Sequence, residues 1–82
     1  MRLETLLPVQ ALNEPRVIMT GTKEVIVEGH CGLFSYETSC IRLRTKAGLM
    51  AVQGDKLTIE HFGAQDAKIC GQVESVSILE AG

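Results

Sequence analysis

Apolar residues fall at every second position in several short stretches of the chain. Ile41 and Leu43 alternate with Arg42 and Arg44, Leu57 and Ile59 with Thr58 and Glu60, and Ile69 follows Lys68. Successive side chains of an extended chain point to opposite faces, so a period of two predicts strands with one buried and one solvent-facing side. From Arg16 onward, Gly21, Gly29, Gly32, Gly48, Gly54, Gly63 and Gly71 cut the sequence into pieces too short for an ordinary helix. The apolar stretches between them, 17–19, 25–27, 33–36, 41–45, 49–53, 57–62, 67–72 and 76–79, predict about eight short strands.

Lys46-Ala47-Gly48 and Gln53-Gly54-Asp55-Lys56 read as turns, which predicts antiparallel hairpins in a meander or Greek key. The expected fold is all-β: a small antiparallel β-sandwich or partly open barrel. A small β-solenoid is the alternative, disfavoured because strand intervals are uneven and no residue recurs at a fixed rung position. Residues 1–15 differ from the rest. Leu3, Leu6 and Leu7 could form one apolar side of a helical turn, but Pro8 and Pro15 bracket anything longer. The expected organisation is an N-terminal arm, 1–15, and one β domain, 16–82.

Composition narrows the function more than the fold. A chain of 82 residues has room for one small core, and 45% apolar with 22% charged residues fits a globular domain rather than a disordered one. With no Trp and few aromatics, the core must be aliphatic. A net charge of −2 gives no overall attraction to nucleic acid or anionic lipid. No apolar run approaches the ~20 residues of a membrane-spanning helix, and no signal-peptide pattern opens the chain. Cys31, Cys40 and Cys70 are odd in number and form no C-x-x-C pair, which fits reduced thiols and a cytoplasmic address.

Candidate chemistry is sparse. His30, Cys31, Cys40, His61 and Cys70 include both zinc-ligand types, but only His30 and Cys31 are adjacent, and neighbours on a strand point apart. They read as packing thiols and surface imidazoles, so no metal or other cofactor is expected. Ser35, Ser39, Ser75 and Ser77 lie in no nucleophile-elbow pattern, and no glycine-rich loop leads into a helix. The chain is expected not to be an enzyme. Arg42, Arg44 and Lys46 make the most basic local row and form, with Leu3, Leu6 and Leu7, a candidate interaction surface. Glu37, Glu60 and Asp66 are expected to offset the row across strands, and Phe34, Tyr36 and Phe62 to lie in the core, so no nucleic-acid partner is expected. The rival reading is a small-ligand or polyanion-binding domain using this row with Tyr36 or Phe62.

Beyond these local signals, the order of motifs from Leu12 to Ile78 resembles the YabP/YqfC family, nearer its YqfC branch. The matching elements are Leu12-Asn13-Glu14-Pro15-Arg16-Val17-Ile18-Met19-Thr20-Gly21, Val25 to Gly32 with its Glu28-Gly29-His30-Cys31-Gly32 turn, Leu33-Phe34-Ser35-Tyr36 and Ile41-Arg42-Leu43-Arg44-Thr45. They continue through Gly48-Leu49, Val52-Gln53-Gly54, Leu57-Thr58-Ile59 and Ile69-Cys70-Gly71-Gln72-Val73-Glu74-Ser75-Val76. The resemblance implies a sporulation protein of an endospore-forming bacterium, linked to spore development and coat formation, with no catalytic residues to carry over. It implies fold roles for Gly21, Gly54 and Gly71 at tight turns and for Leu43, Leu57 and Ile59 in the core. The function expected is an interaction or assembly module, cytoplasmic and on the mother-cell side of the forespore membrane. Its partner would be another sporulation protein, a membrane-bound one included, or a second copy of the chain.

Overall fold

A computed structural model of the chain describes residues 15–79, which form β1 (Arg16–Thr20), β2 (Glu24–Glu28), β3 (His30–Glu37), β4 (Cys40–Thr45), β5 (Gly48–Phe62) and β6 (Asp66–Leu79). The expected arm, with Leu3, Leu6 and Leu7, lies outside the described residues except for Pro15. All strand pairs are antiparallel and belong to one sheet of order β1-β2-β6-β5-β4-β3, whose end strands do not pair with each other. The all-β, antiparallel expectation holds. One continuous open sheet stands in place of separate sandwich sheets, and antiparallel hairpins exclude the rungs of a solenoid.

Six strands replace the expected eight because two pairs of predicted stretches fuse: 49–53 with 57–62 in β5, and 67–72 with 76–79 in β6. Gly54 and Gly71 therefore lie inside strands, not at chain-reversing turns. Gln53-Gly54-Asp55-Lys56 is an irregular stretch of β5 where the register against β6 shifts, and Lys56 takes a left-handed φ of 55° there. Gly21, by contrast, does lie in the turn between β1 and β2, and Lys46-Ala47 forms the β4–β5 turn, where the Thr45 hydroxyl donates to Gly48 O at 2.6 Å and accepts from Ala47 N–H at 3.1 Å.

The long β5–β6 hairpin runs through the whole sheet. β2 pairs only with residues 66–70 of β6, and β4 only with residues 48–53 of β5. The strand order thus reads the same from either end when β1 is matched to β3, β2 to β4 and β6 to β5. The hydrogen bonds repeat this two-fold pattern. Beyond the β2–β6 ladder, Gly71 N–H donates to Lys23 O (3.1 Å) and Val73 N–H to Thr22 O (2.7 Å). Beyond the β4–β5 ladder, Gly54 N–H donates to Ser39 O (3.0 Å) and Leu57 N–H to Thr38 O (2.8 Å). Each short hairpin's turn satisfies the backbone donors that a bulge would otherwise leave unmade.

Both halves feed one core. Val25, Val27, Leu57, Ala67 and Ile69 from one half form a single buried cluster with Ile41, Leu43, Met50, Val52 and Val73 from the other, with Ile59 and Val76 packed against it. The sheet must curl at its irregular stretches for one cluster to draw on both halves. Burying each large aliphatic side chain contributes roughly 1.5–3 kcal/mol. Leu43, Leu57 and Ile59 have the core positions expected of them.

Candidate interaction surface

The two end strands carry most of the exposed apolar surface. On β1 every residue is exposed, and Val17, Ile18 and Met19 are 37–46% accessible. Residues directly opposite on paired strands share a face. Val17 opposite Val27 and Met19 opposite Val25 therefore extend the core face, while Arg16, Ile18 and Thr20 lie on the outer face with Glu28, Ile26 and Glu24. β1 is regular from end to end and no described strand pairs with its far side. An edge of this kind presents N–H and C=O groups that a further strand can take up.

β3, the other end strand, exposes Leu33, Phe34 and Tyr36 at 40–53%. Its register against β4 is broken twice, between His30 and Gly32 and between Leu33 and Ser35. Such bulges blunt an edge. Phe34 and Tyr36, with Phe62 at 46% exposure, were expected in the core and are on the surface instead. Phe34 occupies one of the two irregularities, where alternation of faces fails, and Phe62 stacks on the His30 ring at 4.7 Å between centroids.

The basic row is only partly assembled. Arg42 and Arg44 lie on the outer face of β4, the side opposite Ile41 and Leu43, and Lys46 lies in the turn beyond the strand. Arg42 donates to Ser35 Oγ at 3.3 Å, and the Arg44 guanidinium lies 5.2 Å from the Phe34 ring centroid, a cation–π distance. A shallow groove beside them is lined by Phe34, Arg44, Thr45, Gly48 and Leu49. Two of the three expected acidic counterparts, Glu60 and Asp66, serve other groups. Glu60, with Glu24, holds Lys68 (3.6 and 3.5 Å), and Asp66 pairs with His61 at 3.2 Å. Glu24 first, then Glu60, raises the Lys68 pKa.

His30 is buried, not a surface imidazole. Its Nδ1 accepts the Gly32 N–H at 3.0 Å, which leaves Nε2 to donate to Asp66 O at 3.1 Å; the ring is a neutral structural bridge. His61 is exposed, as expected. Of the thiols only Cys40 is buried; Cys70 is half-buried and Cys31, expected to fill space, is exposed. Desolvation, then the hydrogen bond with Glu60, raises the Cys70 pKa. Among the described residues no group of His, Cys, Asp and Glu is arranged to hold a metal ion.

The open β1 edge was missed from sequence, although it left a signal. Val17-Ile18-Met19 is an apolar run without alternation, which a strand uses when both faces meet apolar surroundings. Here neither face is fully covered by the described residues.

Among the described residues these features define a small all-antiparallel β module built on one hairpin, with an open sheet edge at each end. The YabP family profile matches residues 12–82, and the chain belongs to the YabP family. Membership suggests a sporulation-related protein. No curated protein matches the chain. Among the described residues no helix is long and apolar enough to cross a membrane.

Proposed function

We propose that the chain is a non-enzymatic protein-interaction module that helps assemble the spore coat or envelope, working in the cytoplasm on the mother-cell side of the forespore membrane. The observation that carries this reading is the regular, apolar edge of β1, with whose far side no described strand pairs. Its partner is a protein chain that adds a strand there, from another sporulation protein, membrane-bound or not, or from a second copy. Family membership supports the setting. The test is imaging of a fluorescent fusion in sporulating cells, wild type beside Ile18→Lys. Recruitment to the forespore that the variant loses is the expected result. A wild-type fusion that stays diffuse throughout sporulation would sink the proposal.

A second reading, binding of a small anionic ligand or polyanion, is favoured by the groove at Phe34 and Arg44. Phe34 replaces Tyr36 and Phe62 as the aromatic partner, because Tyr36 pairs with Ile41 on the opposite face and Phe62 stacks on His30. Salt separates the readings: binding through arginines weakens steeply with ionic strength, whereas strand addition changes little.

A further inference from the structure

We infer that the partner at β1 is a second copy of the same chain, joined through an antiparallel β1–β1 pair centred on Ile18. This inference rests on the interaction-module reading and specifies its partner. β1 is the edge suited to it, because β3 is interrupted by two register breaks whereas β1 pairs without interruption from Arg16 to Thr20.

The pattern of β1 is complementary to itself about one two-fold axis, the symmetry most homodimers use. With Ile18 of each copy on the axis, Val17 lies opposite Met19 of the other chain and Arg16 opposite Thr20. The existing β1–β2 register then fixes whole rows across the four strands. On the core side each row is Val27, Val17, Met19 and Val25, the last two from the second copy, so the apolar face continues across the junction without a polar residue. On the outer side the central row is Ile26, Ile18, Ile18 and Ile26. The flanking outer rows read Glu28, Arg16, Thr20 and Glu24.

Charge selects this register as well. Arg16 already pairs with Glu28 at 3.9 Å within its own chain. In the paired sheet, with strands about 4.8 Å apart, the second copy's Glu24, which its own Lys68 also holds at 3.5 Å, lies two strands away from Arg16, across the small Thr20. No like charges come face to face. A shift by one residue would set the core-side Val17 and Met19 against the outer face of the second copy, which the pleat forbids. Two five-residue strands make a small interface, so the dimer should be weak and concentration-dependent.

The test is sedimentation of the full chain over a concentration series with three variants. The wild type should pass from monomer to dimer as concentration rises. Ile18→Lys, checked for native circular dichroism, sets two ammonium groups against each other on the axis and should raise the dissociation constant at least about tenfold. In a Cys31→Ser background, Ile18→Cys should form an intermolecular disulfide on mild oxidation. Val17→Cys in the same background should not, because its two copies would be about 8 Å apart, beyond bridging distance. A constant monomer, a dimer untouched by Ile18→Lys, or equal cross-linking at both positions would overturn the inference. A monomer whose fusion still reaches the forespore through β1 would leave the module reading standing, so the two can fail separately.

Discussion

Gly71 lies against the backbone of Lys56: a Cβ at Gly71 would come within 2.6 Å of Lys56 O and 2.9 Å of Leu57 Cα. The mirrored contact occurs at Gly54, where a Cβ would collide with the Gln72 carbonyl. Each glycine thus lets one long strand pass close to the irregular stretch of the other. Gly71 also has φ +137°, which L side chains rarely adopt. Gly71→Ala is expected to destabilise the domain by more than about 1 kcal/mol, through both strain and collision. Gly21→Ala, at φ +58° with open space around it, should cost less. Urea midpoints of the two variants check this order.

His30 joins two backbone groups: the Gly32 N–H, and the Asp66 carbonyl 36 residues away, which also accepts the Gly63 N–H at 2.7 Å. His30→Ala removes the buried ring and leaves both groups without it. The expected loss is about 1–3 kcal/mol for the polar groups alone, with more for the vacated space. Chemical denaturation measures the sum, and a shift of the Gly32 amide resonance would localise it.

The three thiols should react in a fixed order. Cys31 is exposed, Cys70 is half-buried with a raised pKa and therefore less thiolate at a given pH, and Cys40 is buried. Alkylation of the native protein is expected to modify Cys31 first, Cys70 more slowly, and Cys40 only on unfolding. Peptide mass mapping over time gives the order. Fast labelling of Cys40 in folded protein would contradict the packing of the β4 start.

Alkaline pH should weaken the fold. The folded-state pKa values of Lys68 and Cys70 are both raised. As pH rises, the unfolded chain therefore releases these protons first. The contribution of both groups is complete below their ordinary values and is lost as pH climbs through the folded ones. The urea midpoint is expected to fall between about pH 8 and about pH 11. Cys70→Ala should flatten that decline, and an unchanged slope would show that Cys70 has no part in it.

Much of this architecture can be read from the sequence. Alternation at Ile41 and Leu43, and at Leu57 and Ile59, identified strands and the faces they bury. Gly54 and Gly71 misled because a glycine inside a bulged strand resembles one in a turn. What distinguishes them is the carbonyl opposite, Gln72 O or Lys56 O, a contact made only after distant strands pair. Phe34 escaped the core because an irregularity breaks the alternation that places side chains, and His30 entered it because a remote carbonyl accepts a hydrogen bond from its ring. Arg42 and Arg44 were placed correctly on the outer face. Their neighbours, Ser35 and Phe34, depend on the β3–β4 register, which composition does not encode.

The shared hairpin also dictates when the molecule can be finished. Of the described strands β1 and β2 emerge first during synthesis, yet the second neighbour of β2 is β6, the last of them. Val25 and Val27 therefore have no opposing Ile69 and Ala67 until nearly all of the described chain is available. The first hairpin must wait, its apolar face uncovered, until β3, β4, β5 and β6 have followed. Pairing between strands so far apart in sequence also folds slowly, because a long loop must close before any contact rewards it. A nascent chain held on the ribosome short of β6 would thus expose Val25 and Val27, which makes the interval before β6 emerges the period when this domain most needs a chaperone.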